Sequence, residues 1–298
     1  MTKHPVPARD PASPRRFDPF RVLPAAERRR HLAAYRSWLE ARNGEIDLPQ
    51  RRLSRRERYF AGIERQPVAW RGAVDREGFR QWLAGAGRPA LDPRMLFVVV
   101  VGKVNESERY GIDLELERFE KRGEHLADLS QLYVFLEEGY HSRLLIELCR
   151  TCGVDLELRT PPWSTRWLIS LIRYLPERVR WIPVLCGEVV GCAVFRLLMD
   201  HCHLFAGQPE VEARVRALLG EIWLDEALHV AFVRARLGPL AIRLSRLMLP
   251  LVALSLTKHV PALAELGLPR AALLARVRAG FEVPPQAEWI EPAPALAG

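Results

Sequence analysis

The chain has 298 residues, of which 49% are hydrophobic, so it can bury a large core. One large helical domain with an irregular arm accounts for this length. The formal net charge is +8, but only four of the 44 basic residues are lysines, an arginine bias expected from a GC-rich genome. Because no recognisable nucleic-acid motif accompanies the charge, we expect no specific nucleic-acid partner.

The basic residues concentrate in the N-terminal region, and we interpret them as a solvated arm. They are Arg15, Arg16, Arg28 to Arg30, Arg51, Arg52, Arg55 and Arg56.

The cysteines and the apolar stretches indicate a soluble, cytoplasmic protein. Five cysteines is an odd number, and Cys186, Cys192 and Cys202 lie in apolar helical sequence, which suits a reducing compartment. The N-terminus has no apolar signal-peptide region. The apolar run Leu247 to Leu256 contains Pro250 and is too short to span a bilayer. We therefore predict no membrane span.

Three regions follow one another along the chain. Residues 1–92 are predicted to be an N-terminal arm with short helices, 93–281 a helical bundle domain, and 282–298 a C-terminal tail. Residues 1–24 are rich in Pro and Arg and predict a flexible segment, and 25–41 form a short amphipathic helix. Residues 43–93 are expected to wrap the bundle with short helices, and no chemistry is assigned to them.

Four long helices are predicted in the bundle domain, over residues 93–122, 126–152, 177–205 and 210–237. Pro93 after Asp92 is a typical helix start, and Gly123 ends the first helix. The first two helices should be antiparallel neighbours because the loop between them is short. Residues 154–178 cross over to the third helix, and 240–256 and 269–280 form outer helices. No segment alternates like a strand, so the predicted fold class is all-α.

A repeated motif lies on the second and fourth helices. Glu137-Glu138-Gly139-Tyr140-His141 recurs as Asp225-Glu226-Ala227-Leu228-His229, so each copy reads acid, Glu, any, any, His. A Glu and a His three residues apart project from one face of a helix about one turn apart. Their carboxylate and imidazole can therefore meet at a single metal ion.

Two further glutamates lie on the first and third helices, in the middle of apolar stripes. Glu108 is followed by Gly111 and Glu188 by Gly191, so the chain reads Glu-x-x-Gly and then Glu-x-x-His, twice. A small residue one turn along lets a neighbour approach closely. Glu106 competes with Glu108, but its helical neighbours make a mostly polar face, and Glu108 is preferred.

This pattern predicts a di-metal site. Its ligands would be Glu108, Glu138, His141, Glu188, Glu226 and His229. Four carboxylates in an apolar core repel one another, and two divalent cations would neutralise them. Mixed oxygen and imidazole ligation suits two iron ions, with manganese or a mixed Fe/Mn pair as alternatives. Glu137 and Asp225 are placed to accept the outward N–H of the ligand histidines.

The other histidines do not fit the site. His201 and His203 lie some four turns from Glu188 at about 1.5 Å per residue. His125 and His259 have no acid at ligand spacing and are predicted to be surface or cap residues.

Over residues 94 to 236 the chain resembles the ferritin-like di-iron carboxylate superfamily, in which two Glu-x-x-His helices and two Glu helices enclose two metal ions. The resemblance implies a ferritin-like four-helix bundle with additional N- and C-terminal helices. The arm and the crossover are most similar to O₂-activating enzymes of the p-aminobenzoate N-oxygenase type. Those enzymes have an extra histidine ligand where this chain has Ile222, and ribonucleotide reductase small subunits have a radical tyrosine where it has Leu145.

The expected function is that of a di-iron oxygenase or oxidase that uses O₂ to oxidise a small organic substrate, by N-oxygenation or hydroxylation. Electrons would come from a separate reductase, because the chain has no dinucleotide-binding fingerprint or ferredoxin-type cysteine run. Such an enzyme can work as a monomer or homodimer. Two alternatives stay open: a ferroxidase or iron-handling protein, and a non-catalytic helical protein with a basic arm.

Overall fold

A computed structural model of the chain describes residues 15–122 and 129–290. The fold is all-α, as the sequence predicts, with helix over 73% and strand over 3% of the described residues. The α-helices are α1 (Ala25–Asn43), α2 (Ser54–Arg65), α3 (Arg76–Ala84), α4 (Pro93–Arg122), α5 (Leu129–Thr151), α6 (Trp163–Tyr174), α7 (Glu177–Asp200), α8 (Pro209–Arg236), α9 (Pro239–His259), α10 (Ala262–Glu265) and α11 (Arg270–Arg278).

Four two-residue strands form two small antiparallel sheets that the sequence analysis did not predict. β1 (Arg16–Phe17) pairs with β4 (Phe281–Glu282), and β2 (Ile46–Asp47) pairs with β3 (Arg52–Leu53). Strands this short carry no readable alternation of apolar and polar residues. They tie segments that flank the helices, and 3₁₀ turns at Cys202–Phe205 and Pro285–Ile290 complete the secondary structure.

The starts and ends of the long helices follow local signals. Oδ1 of Asp92 accepts hydrogen bonds from the backbone N–H groups of Arg94 and Met95, which caps the start of α4. Gly153, with φ of 84°, follows α5 in the left-handed region that glycine tolerates. The predicted third helix, 177–205, divides into α7 and the 3₁₀ turn.

Helices α4, α5, α7 and α8 form the centre of the molecule. α4 packs on α5, α5 on α8 and α8 on α7, whereas the described parts of α4 and α7 do not pack closely against each other. The amphipathic helix α6, which lies in the predicted crossover, packs on α4 and α7, and α9 packs along α7. The gap between α4 and α7 is therefore flanked by two outer helices.

The N-terminal region is built into this core. α1 packs against α8 and α5, and α3 packs against α4. Phe17, Phe20 and Leu23 are buried, so the prediction of a flexible segment over residues 1–24 is wrong for residues 15–24; residues 1–14 lie outside the described residues. Because the segment is rich in proline and arginine, its sequence did not indicate that these three apolar residues are buried.

Two described helices are long and apolar enough to cross a membrane by length and composition alone. The first, Arg178–Phe205, has 67% of its most apolar window buried, which marks it as a core helix. The second, α9, has 22% of that window buried. The apolar run that looked too short in the sequence thus belongs to a 21-residue helix, because Pro250 does not interrupt it.

Candidate metal centre

The four central helices bring the two Glu-x-x-His motifs face to face. Ligand atoms of Glu138, Glu188, Glu226 and His229 all lie within 4.8 Å of one another. These residues come from α5, α7 and α8, so the cluster forms only when the three helices pack. The spacing is short enough for shared metal ions.

Each histidine turns Nδ1 toward the carboxylates. Nδ1 of His141 lies 3.4 Å from Oε2 of Glu138 and 3.2 Å from Oε1 of Glu226. Nδ1 of His229 lies 2.9 Å from Oε1 of Glu138 and 3.7 Å from Oε2 of Glu188. The imidazole ring centroids are 5.5 Å apart. Glu138 therefore lies between the two histidines.

Glu108 lies on the cluster side of α4, and Glu106 does not. Glu108 borders a cavity that the other three glutamates also border. The negative charges of Glu138 and Glu226 are close enough to raise the pKa of Glu108. Glu106 is buried elsewhere, with Oε2 2.9 Å from Nζ of Lys103. The expectation that Glu106 faces a polar surface is wrong, because Lys103 is also buried and its Nζ donates to the carbonyl of Leu83.

Gly191, the glycine of the second Glu-x-x-Gly motif, permits the close approach of a carboxylate from α8. A Cβ atom at Gly191 would lie 3.4 Å from Oε2 of Glu226. A larger side chain there would push against that carboxylate. Gly111, its counterpart on α4, borders the cavity, and a Cβ there would lie 4.0 Å from Ile169.

The outward nitrogens of the histidines contact the acids of the opposite motif. Nε2 of His229 lies 3.0 Å from Oε2 of Glu137, and Nε2 of His141 lies 3.2 Å from Oδ2 of Asp225. Both acids are buried. The sequence indicated these acids as histidine partners, but not that the partners are exchanged between α5 and α8.

A layer from α1 and α2 supports the two acids, and sequence analysis missed it. Arg56 donates to Oδ2 of Asp225 at 2.6 Å and to Oε1 of Glu137 at 3.3 Å. Asn43 donates to Oε1 of Glu137 at 2.7 Å, and Arg42 donates to Oδ1 of Asp225 at 2.6 Å. The prediction of a solvated basic arm is therefore wrong for Arg56, which is buried. A run of arginines in sequence does not show which one turns inward.

Burial and mutual repulsion dominate the electrostatics of the carboxylates. Burial raises the pKa of Glu108, and the neighbouring Glu138 and Glu226 raise it further. Burial, with Glu138, raises the pKa of Glu226 to about 8. For Glu138 burial acts in the same direction, but His141 and His229 outweigh it and hold its pKa well below the usual range. Without a cation the cluster therefore favours neutral Glu108 and Glu226 beside an ionised Glu138. The pKa of each histidine is raised by neighbouring carboxylates, which favours the charged imidazole.

The donor set fits a pair of divalent cations. Nδ1 of His141, Nδ1 of His229 and Oε2 of Glu108 are buried and make no hydrogen bond of good geometry among the described residues. Both nitrogens nevertheless lie close to carboxylate oxygens, at 3.2 Å from Glu226 and 2.9 Å from Glu138. Unsatisfied buried donors and acceptors are costly, and a metal ion would use all three. With Nδ1 bound to metal, the proton of each imidazole lies on Nε2, where Glu137 and Asp225 accept it.

An apolar cavity of about 350 Å³ borders the cluster. Glu108, Glu138, Glu188 and Glu226 form its polar floor, and the side chains of Glu138 and Glu188 are 17% and 16% exposed. Its apolar walls come from six helices and include Val104, Ile112, Phe135, Ile169, Ile172, Val184, Val233, Val252 and Leu256. Ser107, Gln131 and Arg180 are further polar residues of the lining. The carboxylates are therefore reached through an apolar space.

The remaining histidines lie away from the cluster. Nδ1 of His201 and of His203 contact carbonyls of their own helix end, at Leu197 and Asp200. The side chain of His259 is buried, with Nε2 4.0 Å from Oε2 of Glu106. Of the predicted surface or cap position, the surface alternative is therefore wrong, and His259 is the last residue of α9. His259 and Glu106 are 153 positions apart, and only the fold brings them together. His125 lies outside the described residues.

A scan against protein-family models and searches of curated proteins and of solved structures find no match to this chain. The fold and the geometry of this site are therefore the basis on which a function can be assigned.

Proposed function

We propose that this protein is a non-haem di-iron oxygenase or oxidase that uses O₂ to oxidise a small organic substrate. The observation that supports this proposal most strongly is a mostly apolar cavity that all four glutamates border. A cavity of about 350 Å³ falls within the size range of small-molecule sites. An iron-storage or ferroxidase site has no need of such a space beside the metals.

The helix arrangement supports this assignment. α4, α5, α7 and α8 correspond to the two Glu and two Glu-x-x-His helices of a ferritin-like bundle, with α6 in the crossover. The ligand set would be Glu108, Glu138, His141, Glu188, Glu226 and His229. Iron is the preferred metal, and manganese or a mixed pair suits the same donors.

Each group has a distinct role in this proposal. The four carboxylates neutralise the cations, and both histidines bind them through Nδ1. Glu137 and Asp225 hold the imidazole protons on Nε2. Arg56 donates to both acids and holds the pKa of Asp225 well below its usual range. The apolar walls exclude bulk water and orient the substrate. Iron ions bound there would supply the electron-transfer chemistry for the reduction of O₂. One oxygen atom would enter the substrate and the other would leave as water, with two electrons from a separate reductase and two protons.

Anaerobic loading with Fe(II) followed by mixing with O₂ tests the proposal. We expect iron uptake and a transient absorption band in the wild type, and neither in Glu138→Ala, which removes the carboxylate between the histidines. A matched control is Glu147→Ala, which changes a glutamate of the same helix that pairs with the exposed Arg150. A wild-type protein that stays colourless and takes up no iron would overturn the proposal.

A further inference from the structure

Helix α9 exposes a continuous row of leucines. Leu240, Leu244, Leu247 and Leu251 are spaced by four, three and four residues and so share one face of the helix. Leu247 is 74% exposed and Leu251 is 67% exposed. The opposite face, which includes Ile242, Ser245, Leu249 and Ala253, is buried. This row is an apolar surface and not part of the core.

Helix α6 exposes a second row, rich in aromatic residues. Trp163, Trp167, Leu171 and Tyr174 follow the same helical spacing, and Trp163 is 74% exposed. Ile169 and Ile172 point the other way and line the cavity. Exposed apolar rows of this size mark interaction surfaces. Tryptophan and tyrosine are enriched where proteins meet the boundary between lipid and water.

The charge around the two rows is positive. Residues 163–174 and 239–259 contain no Asp or Glu, and their described basic side chains are Arg166, Arg243, Arg246 and Lys258. Of these, Arg246 pairs with Asp18. A groove of about 820 Å³ at the start of α9 places Arg28, Arg29 and Arg178 beside Leu240 and Leu244. Leucine and tryptophan beside arginine is the composition of a surface that lies on anionic lipid headgroups.

The two helices that carry these rows, α6 and α9, also line the cavity beside the carboxylates. The cavity lies between α4 and α7, and its outer wall contains Ile169 and Ile172 from α6 and Val252 and Leu256 from α9. Each helix thus presents one apolar face to the cavity and another to the exterior. An apolar molecule leaving a bilayer beneath these helices would therefore lie next to the mostly apolar lining of the cavity.

We propose that α6 and α9 form an interfacial face that binds an anionic bilayer and admits a lipid-borne apolar substrate to the cavity. The admission of a substrate rests on the proposed function, whereas the binding to a bilayer does not. The face lies on the membrane and does not cross it, because α9 is packed along α7 on its buried side. A helix attached to a folded domain along its length lies in the interfacial plane.

Vesicle flotation tests the bilayer part with the full chain. Wild-type protein should float with phosphatidylcholine vesicles that contain phosphatidylglycerol and should bind vesicles of phosphatidylcholine alone much more weakly. The double variant Leu247→Ser with Leu251→Ser should bind about tenfold more weakly, since it withdraws apolar surface from the acyl region. Leu48→Ser changes an exposed leucine in the β2–β3 turn and should bind like wild type.

Two controls keep the outcomes separate. Glu138→Ala should still bind vesicles, so loss of metal and loss of bilayer binding are distinguishable. Size-exclusion chromatography of the wild type and of the double variant shows whether the leucine row joins two copies instead. A wild type that does not float with either vesicle, or a dimer that the double variant converts to a monomer without vesicle binding by the wild type, would overturn the proposal.

The entry of an apolar molecule is tested with a fluorescent fatty acid as the probe. Its fluorescence should rise on adding wild-type protein and on adding the leucine double variant in the absence of vesicles, because the cavity is intact in both. When the probe is supplied in anionic vesicles, transfer to the double variant should be about tenfold slower. Equal transfer rates would contradict entry through this face.

Discussion

Nε2 of His141 on α5 lies 3.2 Å from Oδ2 of Asp225 on α8, in the opposite Glu-x-x-His motif. The reverse contact joins His229 to Glu137 at 3.0 Å. Each motif therefore supplies a ligand histidine and also the acid that orients the histidine of the other motif. This exchange couples the packing of α5 on α8 to the geometry of the metal site.

Asp225→Asn tests the exchanged contact. We expect metal affinity to fall by about 10–100-fold, the usual effect of losing the acid behind a ligand histidine. Affinity can be measured by competition with a chromogenic chelator, with circular dichroism confirming the fold. Asp200→Asn, which changes an exposed acid paired with Arg276, is the matched control. Unchanged affinity in Asp225→Asn would show that Asp225 does not support the site.

Arg56→Met tests the buried layer from α2. The change leaves Asp225 and Glu137 without the cation that bridges them, so the free energy of unfolding of the apoprotein should fall by about 3–5 kcal/mol. Arg56→Lys should recover part of this loss, because a lysine cannot place several donors in one plane. Urea unfolding provides the measurement, and Arg58→Met, at an exposed position of the same helix, should change little. Equal stability of the two methionine variants would contradict the assigned role.

Glu108 and Glu106 can be separated by two readouts. Glu108→Gln should lower iron stoichiometry and O₂ reactivity, because Glu108 faces the other carboxylates. Glu106→Gln should leave both nearly unchanged while lowering stability, because it removes the charge that pairs with Lys103. The opposite pattern would place Glu106 at the metals.

Gly187→Leu tests the cavity. A Cβ atom at Gly187 would have no neighbour within 4 Å among the described residues, and this glycine borders the cavity, so a leucine side chain would occupy it. Binding of a small hydrophobic fluorescent probe should fall severalfold, while iron stoichiometry stays the same. Gly62→Leu fills open space at an exposed position of α2 and serves as the control. A probe that binds Gly187→Leu as well as wild type would place its site elsewhere.

His31 gives a pH dependence whose sign is fixed by its burial. Burial, with Arg234 nearby, lowers the pKa of His31 to about 4, whereas an unfolded histidine titrates at 6.5. Between these values the unfolded chain binds more protons than the folded one, so stability falls as pH decreases, by about 3 kcal/mol at full effect. His31→Phe, which preserves the edge contact with Trp289, should flatten this part of the profile. A profile that stays equally steep between pH 6.5 and 4 would contradict the assignment.

Features that depend on residues close together in the sequence could be predicted. Helix periodicity placed Glu108, Glu138, Glu188 and Glu226 on four helices with nearly correct bounds, because spacing along one helix decides which face a residue occupies. Contacts over long sequence separations could not be predicted. Arg56 meets Asp225 169 residues away, and nothing in the arginine-rich segment distinguishes Arg56 from its neighbours.

Burial of polar residues was the second limit. Glu106 and Lys103 looked like solvent-facing residues because both are charged, yet they pair inside the core. Conversely, Leu247 and Leu251 are apolar and yet exposed, in a segment that was predicted only as an outer helix. Side-chain polarity indicates only whether a residue type is usually buried or exposed. For these residues, the packing of α9 against α7 and of α10 against α4 determines which side chains are buried.

The central claim is that these six residues hold two metal ions, and metal content of the purified full-length protein measures it most directly. After anaerobic reconstitution with Fe(II) and removal of loosely bound ions, we expect two iron ions per chain, the value for this ligand set. We also expect near-complete loss of bound iron in Glu138→Ala with His229→Ala and full retention of iron in Glu147→Ala. Wild-type protein that retains no more iron or manganese than the double variant would contradict this expectation.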